Sequence, residues 1–576
     1  MSPKQNNKSG IINFFDRHFS KKLPAGELLR KAGMTMLLLL PLLASLTVDS
    51  NPFSAAISVN IFIVYSLVLL SAFIWVGLPK SLRILLIPAL CLCFSYSGFV
   101  WISNSDIEYS VMTSVYNTTI SEATGFMRNP DVRWGLGISA AVLLGIIYLM
   151  HCNWKFRWAM RPVKIRGTYF AAFMLIVLAG FSLGHASGKN WFWNDLYPCK
   201  LIRQTYVYTT NHILITQAYN KTRENYVYQG PAVDDKPETY VLIVGESARA
   251  HNWSIYGYDR ETNPLIAKLL RDQPENALFF PKITSAGRVT RISAASMLSP
   301  ATAREFETFY NKPGLPLLFK RAGFKTFAAS MQQQNSFYGS LPNMLMNDSH
   351  ENIYLNTDSH DNLLLAKLDE YLKNPAPKKF IVLQLWGSHY DYDLRYPPEF
   401  AKFKNSKRGY LMDTYDNSLL YTDWILKQII NRIEKHKNPA MVFYSSDHGE
   451  NLNDNNNGKM HHGIGMVSNT TEYEINVPMI CYFNDRFRKL HANQVARIFA
   501  NRTTRLSHDM ISHTIIGLAG VTDPAVYYPH IDLSSKKYKP GKLYFAEDLS
   551  TVVPLKQTFP GMLTKAPISP PGKSRE

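Results

Sequence analysis

The chain runs to 576 residues, too long for one simple domain, and its 62 Lys and Arg outnumber 44 Asp and Glu to give a formal net charge of +18. Half of that excess falls in the first 185 residues and half in the remainder. No groove-reading or base-stacking motif accompanies it, which argues against nucleic acid and points to anionic lipid or sugar-phosphate surfaces as partners.

Long apolar stretches at about 32–48, 54–78, 82–102, 135–150 and 169–183 approach the roughly 20 residues that cross a bilayer. Five membrane spans are therefore expected, with four or six compatible with the soft ends of the first and fourth. Lys and Arg crowd the stretch before residue 32 and the 155–166 loop, and Lys80 and Arg83 mark the turn after the second span. The 103–134 loop offers only Arg128 and Arg133 against Asp106, Glu108, Glu122 and Asp131. That bias places the N-terminus in the cytoplasm and everything after the fifth span outside. No small-residue cleavage site follows the first span, so it reads as a retained anchor. Of the five cysteines, only Cys199 and Cys481 face the oxidising side, where one disulfide between them is allowed.

Residues 185–235 are aromatic-rich and irregular, and Trp191, Trp193 and Tyr197 suit a membrane interface. The expectation is an interfacial linker between a membrane domain, 1–184, and an exported domain, 236–576. In the exported part, strands are expected at 240–244, 325–329, 380–385, 440–444 and 477–483. Helices are expected at 315–322, 362–372, 417–434 and 509–518. The alternation predicts an α/β domain with a largely parallel sheet, whose working loops lie at the carboxyl ends of the strands.

The chemistry gathers at those ends. "VLIVGESARAHN" turns from apolar to polar at Glu246 and Ser247, but G-E-S-A-R lacks the second glycine of a nucleophile elbow. Glu246 is left as a candidate metal ligand, and Ser247 as a residue capping the following turn. "MVFYSSDHGE" ends another apolar strand on Asp447 and His448, an oxygen and nitrogen pair suited to zinc. In "ITSAGRVTRISAASMLSP", Thr290 opens a small-residue segment of helical character. It reads either as a plain N-cap or as a metal-bound nucleophile near unpaired N–H groups. His389 in "GSHYDYDLRYP", and His461 and His462 in "MHHGIG", fall in polar loops after apolar runs, where they suit phosphate oxygens, a second metal or a general acid.

Together "GESARAHNWSIYGYDRETNP", "TRISAASMLS", "GSHYDYDLRYP", "YDNSLLYTDWIL", "SSDHGE" and "HHG" resemble the bacterial phosphoethanolamine transferases of the alkaline phosphatase/sulfatase superfamily. The resemblance spans nearly the whole chain, including the five-span anchor. It implies a multi-pass protein of the bacterial inner membrane with a periplasmic catalytic domain. It also implies a zinc-bound threonine that attacks phosphatidylethanolamine, releases diacylglycerol and passes phosphoethanolamine to lipid A, a core sugar of lipopolysaccharide or another periplasmic glycan. By motif position, Glu246, Thr290, Asp447 and His448 match its ligands to one zinc, and Thr290 its nucleophile. His389 and His462 match the histidines at the phosphoryl group or a second zinc. "YNTTISEA" matches its ethanolamine-binding pair at Thr118 and Glu122, which an i, i+4 spacing places on one helix face.

The sequence departs from the family in three places. Ala286-Gly287 stands for a Cys-Gly pair, "SMQQQNSFYGS" for a lysine-bearing loop, and Ser114 for an Asn contact. The first two tilt the expected acceptor toward a core sugar or other glycan. A glycerol-phosphate transferase of the lipoteichoic acid synthase type shares the anchor and threonine and is the alternative enzyme. An inactive membrane scaffold is the remote one.

Overall fold

The computed structural model describes residues 199–334, 341–355, 359–454, 470–546 and 552–555, with Met112, Tyr116, Arg133, Gly137, Ala140 and Leu144 as isolated positions. Apart from the isolated Gly137, Ala140 and Leu144 in the fourth, the five expected spans lie outside the described residues, among which no helix is long and apolar enough to cross a membrane. The chain divides into two compact units, Met1–Asp106 with Pro130–Arg203, and Ile107–Asn129 with Gln204–Glu576. Nearly all described residues belong to the second.

The second unit is built on a seven-stranded sheet. Its strands are β1 (Glu238–Gly245), β2 (Ala277–Phe279), β4 (Lys325–Ser330), β5 (Glu351–Tyr354), β6 (Lys378–Gln384), β7 (Ala440–Ser446) and β8 (Met479–Phe483). A short β3 (Ile283–Thr284) pairs instead with Leu506–Ser507. The order is β2-β8-β7-β1-β6-β4-β5. The strands from β7 to β5 are parallel, while β8 and β2 close one edge antiparallel.

Parallel strands covered on both faces read as unbroken apolar runs, and "TYVLIV" is buried throughout. Tyr240, Leu242 and Val244 join one hydrophobic core, and Val241 and Ile243 the other. The second core rests against α2 (Pro264–Asp272), α6 (Leu363–Lys373) and α7 (Tyr410–Glu434). The first packs α3 (Thr290–Met297), α4 (Leu315–Arg321), α5 (Leu341–Met346) and the helix Asp509–Leu518. The result is a three-layer α/β sandwich, the architecture that alternating patterning predicts.

Two expectations are corrected. Within the stretch read as an irregular linker, Cys199–Asn225 forms one helix, α1. Its Tyr208, His212, Ile215 and Tyr219, spaced as one helical face, are buried. Thr and Tyr content masked that face in the sequence. The disulfide does not form either, because Cys481 is a free thiol in the buried interior of β8.

Candidate metal centre

Three parallel strands stop together at one rim. Gly245 of β1 lies opposite Ser446 of β7, and Val244 opposite Gln384 of β6. Glu246, Asp447 and the 385–389 turn therefore leave the sheet side by side. Glu246, Asp447 and His448 offer ligand atoms within 4.8 Å of one another, the only such group of metal-ligating type among the described residues. All three are at most 1% exposed. His448 Nε2 stands 3.3 Å from Glu246 Oε1 and 3.3 Å from Asp447 Oδ2.

Thr290 reaches the same point from α3, of which it is the first residue. Its hydroxyl donates to Glu246 Oε2 at 3.1 Å and lies 3.2 Å from His448 Nε2. The approach to Thr290 is fixed from below. β3 is paired, and His508, buried and pushed down to about 3 by that burial, stays neutral. Its Nδ1 accepts from the Ala286 N–H at 3.4 Å, and its Nε2 sits 3.3 Å from Ser445 Oγ.

The electrostatics suit a cation here. Burial raises the Asp447 carboxyl, and the neighbouring Glu246 charge adds to it, to about 8. Burial alone would lower His448, but Asp447 and Glu246 hold its proton and raise it to about 10. Asp447 Oδ2 is buried without a hydrogen bond of good geometry, its neighbour being His448 Nε2 at 3.3 Å, and a bound cation would satisfy it. His448 Nδ1 lies 2.8 Å from the Gly449 carbonyl. Donation there leaves Nε2 as the nitrogen that faces the two carboxylates and would coordinate a cation once the cation displaces its proton. Two carboxylates, an imidazole and a hydroxyl at hydrogen-bond separations fit a divalent metal ion.

Several residues that sequence reasoning passed over hold Glu246. Ser247 does not cap the next turn: at φ +55° its hydroxyl donates back to Glu246 Oε1 at 2.7 Å, and its N–H to Asp447 Oδ1 at 3.2 Å. Gln332 Nε2 donates to Glu246 Oε2 at 2.7 Å, while its own Oε1 accepts from Gln384 at 3.0 Å. Tyr415 of α7 donates to the Ser247 carbonyl at 2.7 Å.

His389 stands on the same rim, three residues beyond Trp386. Its Nδ1 lies 2.7 Å from the Tyr390 carbonyl, and Arg395 clasps the turn by donating to the His389 and Tyr390 carbonyls from over the Trp386 ring. Gly387 is required, since at φ +52° a Cβ would meet the Glu246 carbonyl oxygen at 2.6 Å. Asp361, buried and raised to about 6 by that burial, accepts the Trp386 and Gly387 N–H groups.

Thr118, Glu122, His461 and His462 lie outside the described residues. The described neighbour of the first pair, Tyr116, stacks on Tyr208 with centroids 4.7 Å apart, and the Arg291 guanidinium, next to Thr290, lies 5.3 Å from that Tyr208 ring.

Residues 238–521 match the Sulfatase family. Over 495 residues the chain is 27% identical to phosphoethanolamine transferase EptA of Escherichia coli strain K12, covering 80% of this chain and 86% of that one. The integral membrane lipooligosaccharide phosphoethanolamine transferase A from Neisseria meningitidis superposes with a TM-score of 0.63 at 22% identity, covering 87% of this chain and 98% of that one. The C-terminal periplasmic domain of E. coli EptC in complex with Zn gives 0.50 at 24%, covering 56% and 96%.

Proposed function

We infer that this chain, a member of the phosphoethanolamine transferase family in the alkaline phosphatase superfamily, is a metal-dependent transferase that moves phosphoethanolamine from phosphatidylethanolamine to lipopolysaccharide. The observation that carries the reading is the Thr290 hydroxyl at hydrogen-bond distance from both Glu246 and His448. Zinc is the proposed ion, held by Glu246, Asp447, His448 and Thr290, and His389 and His462 would be free for the phosphoryl and leaving groups unless a second ion occupied them. When bound, the ion supplies a Lewis acid that lowers the threonine hydroxyl pKa and offsets phosphoryl charge.

The chain's own groups do the rest. Glu246 accepts the Thr290 proton, and α3 presents its N-terminal N–H groups beside the hydroxyl. Thr290 Oγ bonds to phosphorus as the bond to the diacylglycerol oxygen breaks, and that oxygen leaves with a proton, for which His389 is the candidate donor. An acceptor hydroxyl then gives its proton to the deprotonated His389 and attacks the same phosphorus, and Thr290 leaves with the proton returned from Glu246. Thr118 and Glu122 are the proposed partners of the ethanolamine ammonium. Residues 1–184 are proposed as the inner-membrane part, with the catalytic unit in the periplasm.

Phosphatidylethanolamine labelled in its head group tests the assignment. The wild type is expected to release diacylglycerol and to carry label on the Thr290 peptide. Thr290→Ala is expected to do neither while still binding metal through three remaining ligands. Transfer by Thr290→Ala would refute the nucleophile. Mass spectrometry of lipopolysaccharide made with and without the protein distinguishes lipid A from core sugar.

A further inference from the structure

A basic loop leads into α7 with nothing in the mechanism to explain it. Residues 401–409, "AKFKNSKRG", contain four cations and no acid, and Lys402, Lys404, Lys407 and Arg408 are all exposed. Arg408 is matched by Asp259. The ammonium groups of Lys402, Lys404 and Lys407 make no ion pair among the described residues, and the exposed Glu399, three residues before the first of them, is not paired with any.

Such a run is ordinarily a mobile, solvated turn, but this one is fastened to the catalytic frame. Asn417 of α7 clasps Phe403 from both sides, accepting its N–H and donating to its carbonyl at 2.9 Å each. The Ser406 N–H donates to Asp413 at 2.9 Å. Arg260 bridges Asp413 and Asp416 at 2.8 and 2.7 Å with its guanidinium 4.9 Å from the Phe403 ring. Arg260 and Arg408 thus offset part of the acidic charge near the loop. The same helix places Tyr415 on the carbonyl of Ser247, one residue from Glu246. The loop backbone is thus tied to α7, which itself contacts the turn after Glu246, and its lysine side chains are exposed.

We propose that Lys402, Lys404 and Lys407 form a docking surface for phosphate groups of the acceptor glycan, steering it to the rim where Thr290 carries the group to be transferred. The assignment rests on the transferase reading. A phosphorylated saccharide matches the surface in charge, and a fixed row of exposed cations recruits it through association rate and salt-sensitive affinity. The donor lipid does not need the row, since its phosphorus must reach Thr290 itself.

The test uses full-length protein in detergent, phosphatidylethanolamine as donor, and lipopolysaccharide with its phosphate monoesters either intact or enzymatically removed. In the triple variant Lys402→Glu/Lys404→Glu/Lys407→Glu, KM for intact acceptor is expected to rise roughly tenfold or more. Diacylglycerol release in the first half-reaction is expected to stay unchanged, as is KM for the dephosphorylated acceptor. Wild-type KM for intact acceptor should rise as salt is added, and the triple Gln variant should fall between the two. An unchanged KM in the Glu variant overturns the proposal. So does weaker binding to vesicles of anionic phospholipid with KM for acceptor unchanged, which makes the loop a membrane contact. Absence of diacylglycerol release from the wild type sinks the transferase reading, and this proposal with it.

Discussion

Both oxygens of Glu246 are oriented by protein donors, Oε1 by Ser247 and Oε2 by Gln332 and Thr290. A carboxylate so held presents its remaining lone pairs in one direction, and outer partners of this kind set metal affinity. Gln332→Leu removes the donor at 2.7 Å and breaks the chain through Gln384 to Ser330. Metal affinity is expected to fall about tenfold or more, read by competition with a chromophoric chelator, with the melting temperature of the metal-free protein nearly unchanged. Affinity equal to wild type would remove Gln332 from the site. Glu246, Asp447 and His448 were legible as candidates because each directly follows an apolar strand, and parallel strands in register end together. Gln332 was not. It is one of three consecutive glutamines, and only the parallel register of Ser330 against Gln384 selects which of them faces Glu246.

Helix α7 shows what an element contributes beyond its apolar stripe. Periodicity placed its start at residue 417, yet it begins at Tyr410, because the polar first turns carrying Asp413, Tyr415 and Asp416 are buried against the rim and the basic loop. Further along, Asp423 does the capping that α2 lacks. Asn263 precedes that helix but makes no side-chain cap, being engaged by Ser254 and Ile255 instead. The Leu265 and Ile266 N–H groups donate to Asp423 at 2.9 Å each. A cap supplied from 158 residues away leaves no local signature, which is why α2 was not legible. Asp423→Ala strands one buried and one part-buried donor and is expected to cost about 2 kcal/mol in denaturant unfolding. Burial also raises Asp423 to about 7, against roughly 3.9 for an unfolded Asp. The fold favours its protonated form, so its contribution is full below about pH 4 and fades as pH rises through about 7. The stability difference between wild type and Asp423→Asn should therefore shift against the wild type between acidic and neutral pH. A difference constant with pH would contradict this.

At the scale of the molecule, the catalytic body is larger than its motifs suggest. Motif density and strand alternation placed its start near residue 236, but the compact unit takes in Gln204 onward. Ile215 and Tyr219 of α1 belong to the same hydrophobic core as Tyr240 and Leu242. The Tyr219 hydroxyl donates to Asp348 at 2.5 Å, Thr222 to the Tyr310 carbonyl at 2.9 Å, and Tyr226 to Asp523 at 2.6 Å. Sequence could not show this, since a helix is recognised by the face it buries, and the surface opposite α1 is assembled from residues more than 80 positions away. Cutting at 236 would expose that surface, leave Asp348 and Asp523 without their hydroxyl donors, and forfeit roughly 1.5–3 kcal/mol for each large apolar side chain unburied. A soluble fragment of residues 204–576 is thus expected to melt at least about 5 °C above one of residues 236–576, by calorimetry in the same buffer and metal. If the two melt together, α1 rides on the catalytic body without supporting it, and the boundary read from motifs is the physical one.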